Sequence, residues 1–183
     1  MIRHLESGLD VMPLAKQLAA CPEEWNRHTM RTIAYEESPH KQVSDIWVRY
    51  NAWENFKGDP QAFNGPHDAV WYPVVSKLPA AWKLARYVVM HVGGNRLGGV
   101  LITRIPPGGE VKPHSDHGWH AEFYEKFAVQ VAGNEKQAFC FDDCELRPVT
   151  GDLYTFNNQF THWVKNESDV DRITMIVCVK RNG

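Results

Sequence analysis

From Gly98 onward the chain breaks into short runs rich in β-branched and aromatic residues, each closed by turn formers, and this pattern limits the possible folds most. The runs cover 100–105, 127–132, 137–141, 153–156, 162–164 and 172–180. Strands this short and this numerous after a helical first half predict an α+β protein with a closed or sandwiched β core. The last run, 172–180, is apolar on both alternating faces and suits a strand covered on both sides.

The first half reads differently. Pro13 fits the first position of a helix, followed by Leu14, Leu18 and Cys21 at helical spacing. Pro22-Glu23-Glu24 starts a second short turn, with acids where a helix dipole favours them. Residues 45–50 read as a strand, and residues 51–68, with Gly58, Pro60, Gly65 and Pro66, as loop. Pro79 opens a helix over 80–91, ended by Gly93-Gly94. No linker or repeat interrupts the sequence, so residues 1–183 are expected to form one domain, helical and irregular over 1–97 and β over 98–183.

Composition narrows the class. Twenty Lys plus Arg against 22 Asp plus Glu leave a net charge of −2, which gives no electrostatic case for nucleic acid or membrane as partner. No run approaches the roughly 18 apolar residues of a membrane span. The stretch from Met1 to Leu14 carries Glu6 and Asp10 and lacks the apolar segment of a secretory signal. Four cysteines need no disulfide framework in a chain of 183 residues, so a reduced, cytoplasmic setting is expected.

Within the β half, His114-Ser115-Asp116 is followed 48 residues after its histidine by His162. A lone His is most often a hydrogen-bonded core residue, and His-x-Asp alone is common by chance. On a strand, however, residues two apart point to one face, and a third group from a distant strand completes a three-sided site. Two imidazoles and one carboxylate are the protein ligands of the facial triad that holds non-haem Fe(II) and leaves positions open. Arg172 lies ten positions beyond His162 and offers a planar fork to an anion; the other reading is a solvated Arg paired with Asp169 or Asp171.

The motifs around these residues resemble the aspartyl/asparaginyl β-hydroxylase family of Fe(II)- and 2-oxoglutarate-dependent oxygenases. The resemblance runs from Thr103 to Lys180: a Thr-bearing strand, the Pro106-Pro107-Gly108-Gly109 turn, Pro113-His114, then Gly151, Phe156-Asn157-Asn158, His162 and Arg172. It implies a double-stranded β-helix (a jelly roll, cupin-like) with the N-terminal helices packed against it. It implies Fe(II) held by His114, Asp116 and His162, and 2-oxoglutarate held by Arg172 with the Thr103 hydroxyl. The implied activity is a dioxygenase that hydroxylates an amino-acid side chain of a protein, peptide or free amino acid, while 2-oxoglutarate is decarboxylated to succinate. Its partners would be that small-molecule or peptide substrate and molecular oxygen.

Two departures from the family pattern stand out. Some members lack an acidic second ligand, whereas Asp116 is present here. An Arg-x-His pair usual on the following strand is replaced by Lys126 and Ala128, so Lys126 stands for the Arg, and Gln130 or His120 substitutes for the His unless the proximal carboxylate is held otherwise. Asn157, Asn158 and Ser115 are candidates to orient the ligands. Trp119, in the loop after the ligands, and Trp163 are candidates to border the pocket, with core packing the other reading and the favoured one for Trp163; Arg31, Arg49 and Arg104 are candidates to meet an acidic group, with Arg104 alternating away from Thr103. Three alternatives remain: a zinc site from Cys140, Cys144, Cys21 and Cys178, whose spacing is unusual; a non-catalytic jelly-roll binding module; and a same-fold oxygenase of a nucleic-acid base, which wants a second Arg where Cys178 stands.

Overall fold

The computed structural model describes residues 1–33 and 36–182. Its strands in chain order are β1 (Ile2–Glu6), β2 (Ser44–Tyr50), β3 (Val70–Trp71), β4 (Gly94–Ile105), β5 (Glu110–His114), β6 (Glu125–Ala132), β7 (Gln137–Phe141), β8 (Glu145–Leu146), β9 (Leu153–Phe156), β10 (His162–Asn166) and β11 (Arg172–Arg181). Every pairing is antiparallel. They form a seven-stranded sheet, β1-β9-β6-β11-β4-β2-β3, facing a four-stranded sheet, β5-β10-β7-β8. Apart from the β7–β8 hairpin, successive strands from β4 to β11 alternate between the two sheets, the jelly-roll connection that the family resemblance implied.

Two apolar cores divide the work. The helices α1 (Met12–Ala20) and α3 (Pro79–His91) cover the outer face of the large sheet. In α3, Ala81, Ala85 and Val88 recur at helical spacing and are fully buried against it, joining Leu14, Ile102, Val129 and Val177. Strand β11 lies between β6 and β4 and is buried on both faces, as its unbroken apolar run predicted. The second core, Val43, Ile105, Val111, Phe139, Tyr154, Phe156 and Val164, fills the space between the sheets at one end. The other end stays open.

Several elements differ from the sequence reading. β1 was not expected; it is an edge strand whose Ile2-Arg3-His4-Leu5-Glu6 has little β propensity and is fixed by pairing with β9. A short helix α2 (Pro60–Phe63) sits in the expected loop, started by Asp59, whose carboxylate accepts from the Gln61 and Ala62 N–H groups. Strand β4 begins at Gly94, six residues before the expected start at 100, directly after Gly93 closes α3 with φ of 68°. A fourth helix, α4 (Trp119–Phe123), occupies what read as a loop after the His-x-Asp motif.

Candidate metal and anion site

Between the sheets lies a cavity of about 610 Å³. Register brings the two distant histidines into it. β10 and β5 pair so that His162 sits directly opposite His114, and ring centroids 4.4 Å apart follow from that neighbourhood. Each ring is fixed the same way: Nδ1 of His114 lies 2.8 Å from the Lys112 carbonyl, and Nδ1 of His162 lies 2.9 Å from the Phe160 carbonyl. A carbonyl only accepts, so both Nδ1 atoms carry the proton and both Nε2 lone pairs face the cavity. His162 also stacks flat on Phe139, interplanar angle 5°. Burial pushes the His162 pKa down to about 4 and lowers that of His114, so both imidazoles stay neutral.

Asp116 completes the cluster by a different route from the one alternation suggests. Strand β5 ends at His114, and Asp116 lies just beyond it. Its position comes from its backbone N–H, which donates to the Asn158 carbonyl at 2.8 Å, and from the Asn158 side-chain amide, which donates to Oδ2 at 3.1 Å. The Lys126 ammonium reaches the same oxygen from β6. Burial alone would raise the Asp116 carboxyl, but Lys126 and the two imidazoles outweigh it and hold the group well below the usual carboxylate range. Nε2 of His114 is 3.6 Å from Asp116 Oδ1, and one donor atom from each of the three residues lies within 4.8 Å of the others. Ligand bonds of about 2.1 Å place two donors up to ~4.2 Å apart on one ion, so small side-chain rotations suffice. Neutral imidazole lone pairs beside an ionised carboxylate are the donor set a divalent cation needs.

Arg172 stands at the filled end of the cavity and is only 2% exposed. The surface reading for it does not hold. Its guanidinium donates to Thr174 Oγ1 at 2.7 Å and to the Tyr154 hydroxyl at 3.0 Å, while Nε is buried without a partner. Among the described residues no carboxylate lies within salt-bridge distance of it; Asp171 lies 4.0 Å from Arg104 instead. Thr103 is opposite Thr174 across β4 and β11, so both hydroxyls share the cavity face with Arg172. The Thr103 hydroxyl reaches the Thr174 carbonyl at only 3.5 Å. A buried guanidinium held by neutral hydroxyls is costly unless an anion joins it.

The remaining expected residues separate. Arg31, Arg49, Lys126 and His120 line the cavity. Gln130 does not; its amide serves the Ala132 and Ile173 carbonyls, so of the two suggested substitutes for the missing His only His120 faces the space. Trp163 points away from it, because His162 points in and neighbours alternate; it pairs in register with Cys140. Trp119 packs on Phe123 and Tyr124 instead of bordering the pocket. Arg104 lies over Trp25 outside. Ser115 bonds His117 and Asn157 caps Gln159, leaving Asn158 as the asparagine that touches the cluster. Among the described residues the cysteines do not gather around a common point. Unforeseen were Tyr154 as a partner of Arg172 and His40, whose ring meets His114 edge-on at 4.7 Å. No spacing in the sequence marks either.

The chain matches the family model for aspartyl/asparaginyl β-hydroxylase over residues 21–182. None of the curated proteins matches it. Among solved structures it is similar to a viral collagen prolyl hydroxylase from Paramecium Bursaria Chlorella virus-1 in a 2OG complex, with TM-score 0.55, 11% identity, and 100% of this chain and 96% of that one covered. A prolyl-4-hydroxylase of Pseudomonas putida gives TM-score 0.53 at 15% identity, covering 100% and 93%. An oxidoreductase of the 2OG-Fe(II) oxygenase family from Burkholderia pseudomallei gives 0.55 at 9%, covering 76% and 68%. At such identities the structures speak for the fold, and the family match carries the rest. The chain belongs to the aspartyl/asparaginyl β-hydroxylase family and is a dioxygenase of the hydroxylase type.

Proposed function

We propose that the protein uses Fe(II), held by His114, Asp116 and His162, and 2-oxoglutarate, held by Arg172, Thr103 and Lys126, to hydroxylate an amino-acid side chain in a peptide, protein or free amino acid. The observation that carries the reading is the buried Arg172 guanidinium, without an anionic partner among the described residues, in the same cavity as the three-residue cluster. A carboxylate supplies what it lacks, in the planar geometry the fork favours. Bound iron and 2-oxoglutarate supply the oxidising chemistry: substrate C–H, O2 and 2-oxoglutarate become C–OH, succinate and CO2, with two electrons from the cosubstrate and two from the C–H bond.

The protein's own part is placement. The Lys112 and Phe160 carbonyls keep both imidazoles in the tautomer that presents Nε2. Asn158 and Lys126 hold the Asp116 carboxylate in one orientation. Lys126, at the cluster rather than beside Arg172, is assigned to the proximal carboxylate, and Arg172 with Thr103 and Tyr154 to the distal one. Leu101, Ile105 and Phe139 exclude water along the wall between them.

The reading takes residues 1–183 as one domain, supported by the larger of the two cores, which joins Val11 and Leu14 to Val177 and Val179. No helix among the described residues is long and apolar enough to cross a membrane. Thiols buried singly at Cys140 and Cys178 support a reducing, cytoplasmic setting. The test is conversion of 2-oxoglutarate to succinate with added iron, read with a 16-Da gain across amino acids and peptides. Conversion is expected from the wild type and lost in His114→Ala; equal conversion by both proteins, or none by the wild type, would sink the reading.

A further inference from the structure

Four cationic side chains line the cavity: Arg31, Arg49, Lys126 and Arg172. Three have an assignment. Arg31 forms a two-pronged pair with the buried Asp45, at 2.9 and 2.7 Å. Lys126 meets Asp116, and Arg172 awaits the cosubstrate. Arg49 is left over. Its guanidinium lies 5.2 Å over Trp71, makes one long bond at 3.4 Å to the Leu97 carbonyl, and keeps a buried Nε with no partner. The nearby Asp68 is paired with Arg96, and among the described residues no carboxylate is bonded to Arg49.

Arg49 and Arg172 serve different ends of the cavity. Arg172 is opposite Ile105 of β4, whereas Arg49 is opposite Val100, five positions along the strand and roughly 17 Å away. Lys126 pairs with Cys178, next to Val177, which itself pairs with Val100. Arg49 therefore stands level with Lys126 but on β2, three strands across the sheet from β6 and roughly 14 Å away, so a five-carbon diacid spanning Arg172 and Lys126 does not extend to it. Arg49 lines the cavity just past a register shift in β2 between Trp47 and Arg49. His120, which also lines the cavity, packs its ring 5.0 Å from that of Tyr50, the residue after Arg49, and its Nε2 is buried and unpartnered. Gly99 makes room for that ring: a Cβ at Gly99 would lie 3.2 Å from His120 Nε2 and from the Tyr50 ring.

We propose that Arg49, with His120 of the same cavity, is the substrate-binding residue and takes a carboxylate of the substrate, so the molecule hydroxylated is an acid. The inference rests on the iron and 2-oxoglutarate reading above. The carboxylate is either the α-carboxylate of a free amino acid or the side chain of an acidic residue in a peptide. A fork with one prong weakly used and one buried donor idle matches a carboxylate in either case.

The test uses the full chain, held anaerobically with Fe(II) and 2-oxoglutarate, and titrates a panel by calorimetry. The panel contains free amino acids beside their C-terminal amides, and end-capped peptides containing Asp or Glu beside their Asn or Gln counterparts. At least one acid is expected to bind, with its neutral counterpart bound tenfold or more weakly. Arg49→Gln should abolish the preference and Arg49→Lys keep part of it, each still forming the visible band of the iron–2-oxoglutarate complex. Preference among the free amino acids assigns the α-carboxylate; preference among the capped peptides assigns the side chain. The proposal is overturned if no acid binds, if neutral members bind equally well, or if Arg49→Gln retains the preference. A wild-type chain without the visible band overturns the preceding reading and this one with it, whereas a normal band with an acid-indifferent panel overturns this one alone.

Discussion

The two ends of the cavity are built on opposite principles. At the open end, each member of the cluster already has its partners within the chain: the two imidazoles have backbone carbonyls and Asp116 has Asn158 and Lys126. At the filled end, Arg172 is more deeply buried yet has only neutral hydroxyls. The first end is preorganised by its own neighbours; the second leaves a cationic fork with neutral partners only, as the proposed cosubstrate requires. Preorganisation costs stability once, in folding, while an uncompensated guanidinium stores a demand that ligand binding relieves.

The largest expected effect lies at the second end. Arg172→Met should weaken 2-oxoglutarate binding by roughly 30-fold or more, the scale of truncating a buried charged hydrogen-bonding partner. The same change should raise the ligand-free stability by about 1–3 kcal/mol, since it removes a buried charge with no counter-charge. Urea unfolding without cosubstrate checks it, and a lowered midpoint would break the contrast between the ends. At the first end, Asn158→Ala should cost about 10–100-fold in iron affinity by freeing the Asp116 carboxylate, with 2-oxoglutarate affinity of the iron-loaded protein far less changed. Equal losses in both would show that the ends are one unit.

A pH series sharpens the comparison at the mouth. Burial pushes the His120 pKa down to about 3, against 6.5 for an ordinary histidine. Between those values the unfolded chain binds a proton that the folded chain refuses, so the contribution is complete above pH 6.5 and is lost as pH falls. His28 and His67 are lowered by burial as well and act in the same direction. At pH 5.5, His120→Gln should recover roughly 1 kcal/mol of the loss seen in the wild type, measured by denaturant unfolding at each pH. A wild-type stability flat from pH 7 to 5.5 would contradict the buried, neutral assignment. The smallest effect is expected from Thr103→Val, whose hydroxyl makes only a 3.5 Å contact in the ligand-free chain: about a threefold rise in the 2-oxoglutarate KM, in keeping with one neutral hydrogen bond.

Much of this was legible before the coordinates. Turn residues between apolar runs gave the β half, and Pro79 with Gly93 bracketed α3. Spacing marked His114, His162 and Arg172 as candidates, and each sits at the end of a strand, next to the turn residues that the sequence shows. Period-two alternation also contained the answer for Trp163, which must face away if His162 faces in. What stayed hidden depends on tertiary register. That His162 pairs with His114 rather than with a neighbour follows from a shift in the β5–β10 ladder between His162 and Val164, which no local signal announces. The Asp116–Lys126 contact joins the segment after β5 to β6, and the Tyr154–Arg172 bond joins β9 to β11; neither has a local pattern of its own. β1 escaped notice because its pairing, not its composition, makes it a strand.

The central claim is that three side chains gather one iron and that the cosubstrate completes it. Anaerobic titration of the purified chain with Fe(II) and then 2-oxoglutarate reads it directly. The account predicts a weak visible charge-transfer band saturating at one iron per chain, absent in His162→Ala and in Asp116→Ala. No band in the wild type, or a band of full strength in either variant, would contradict it.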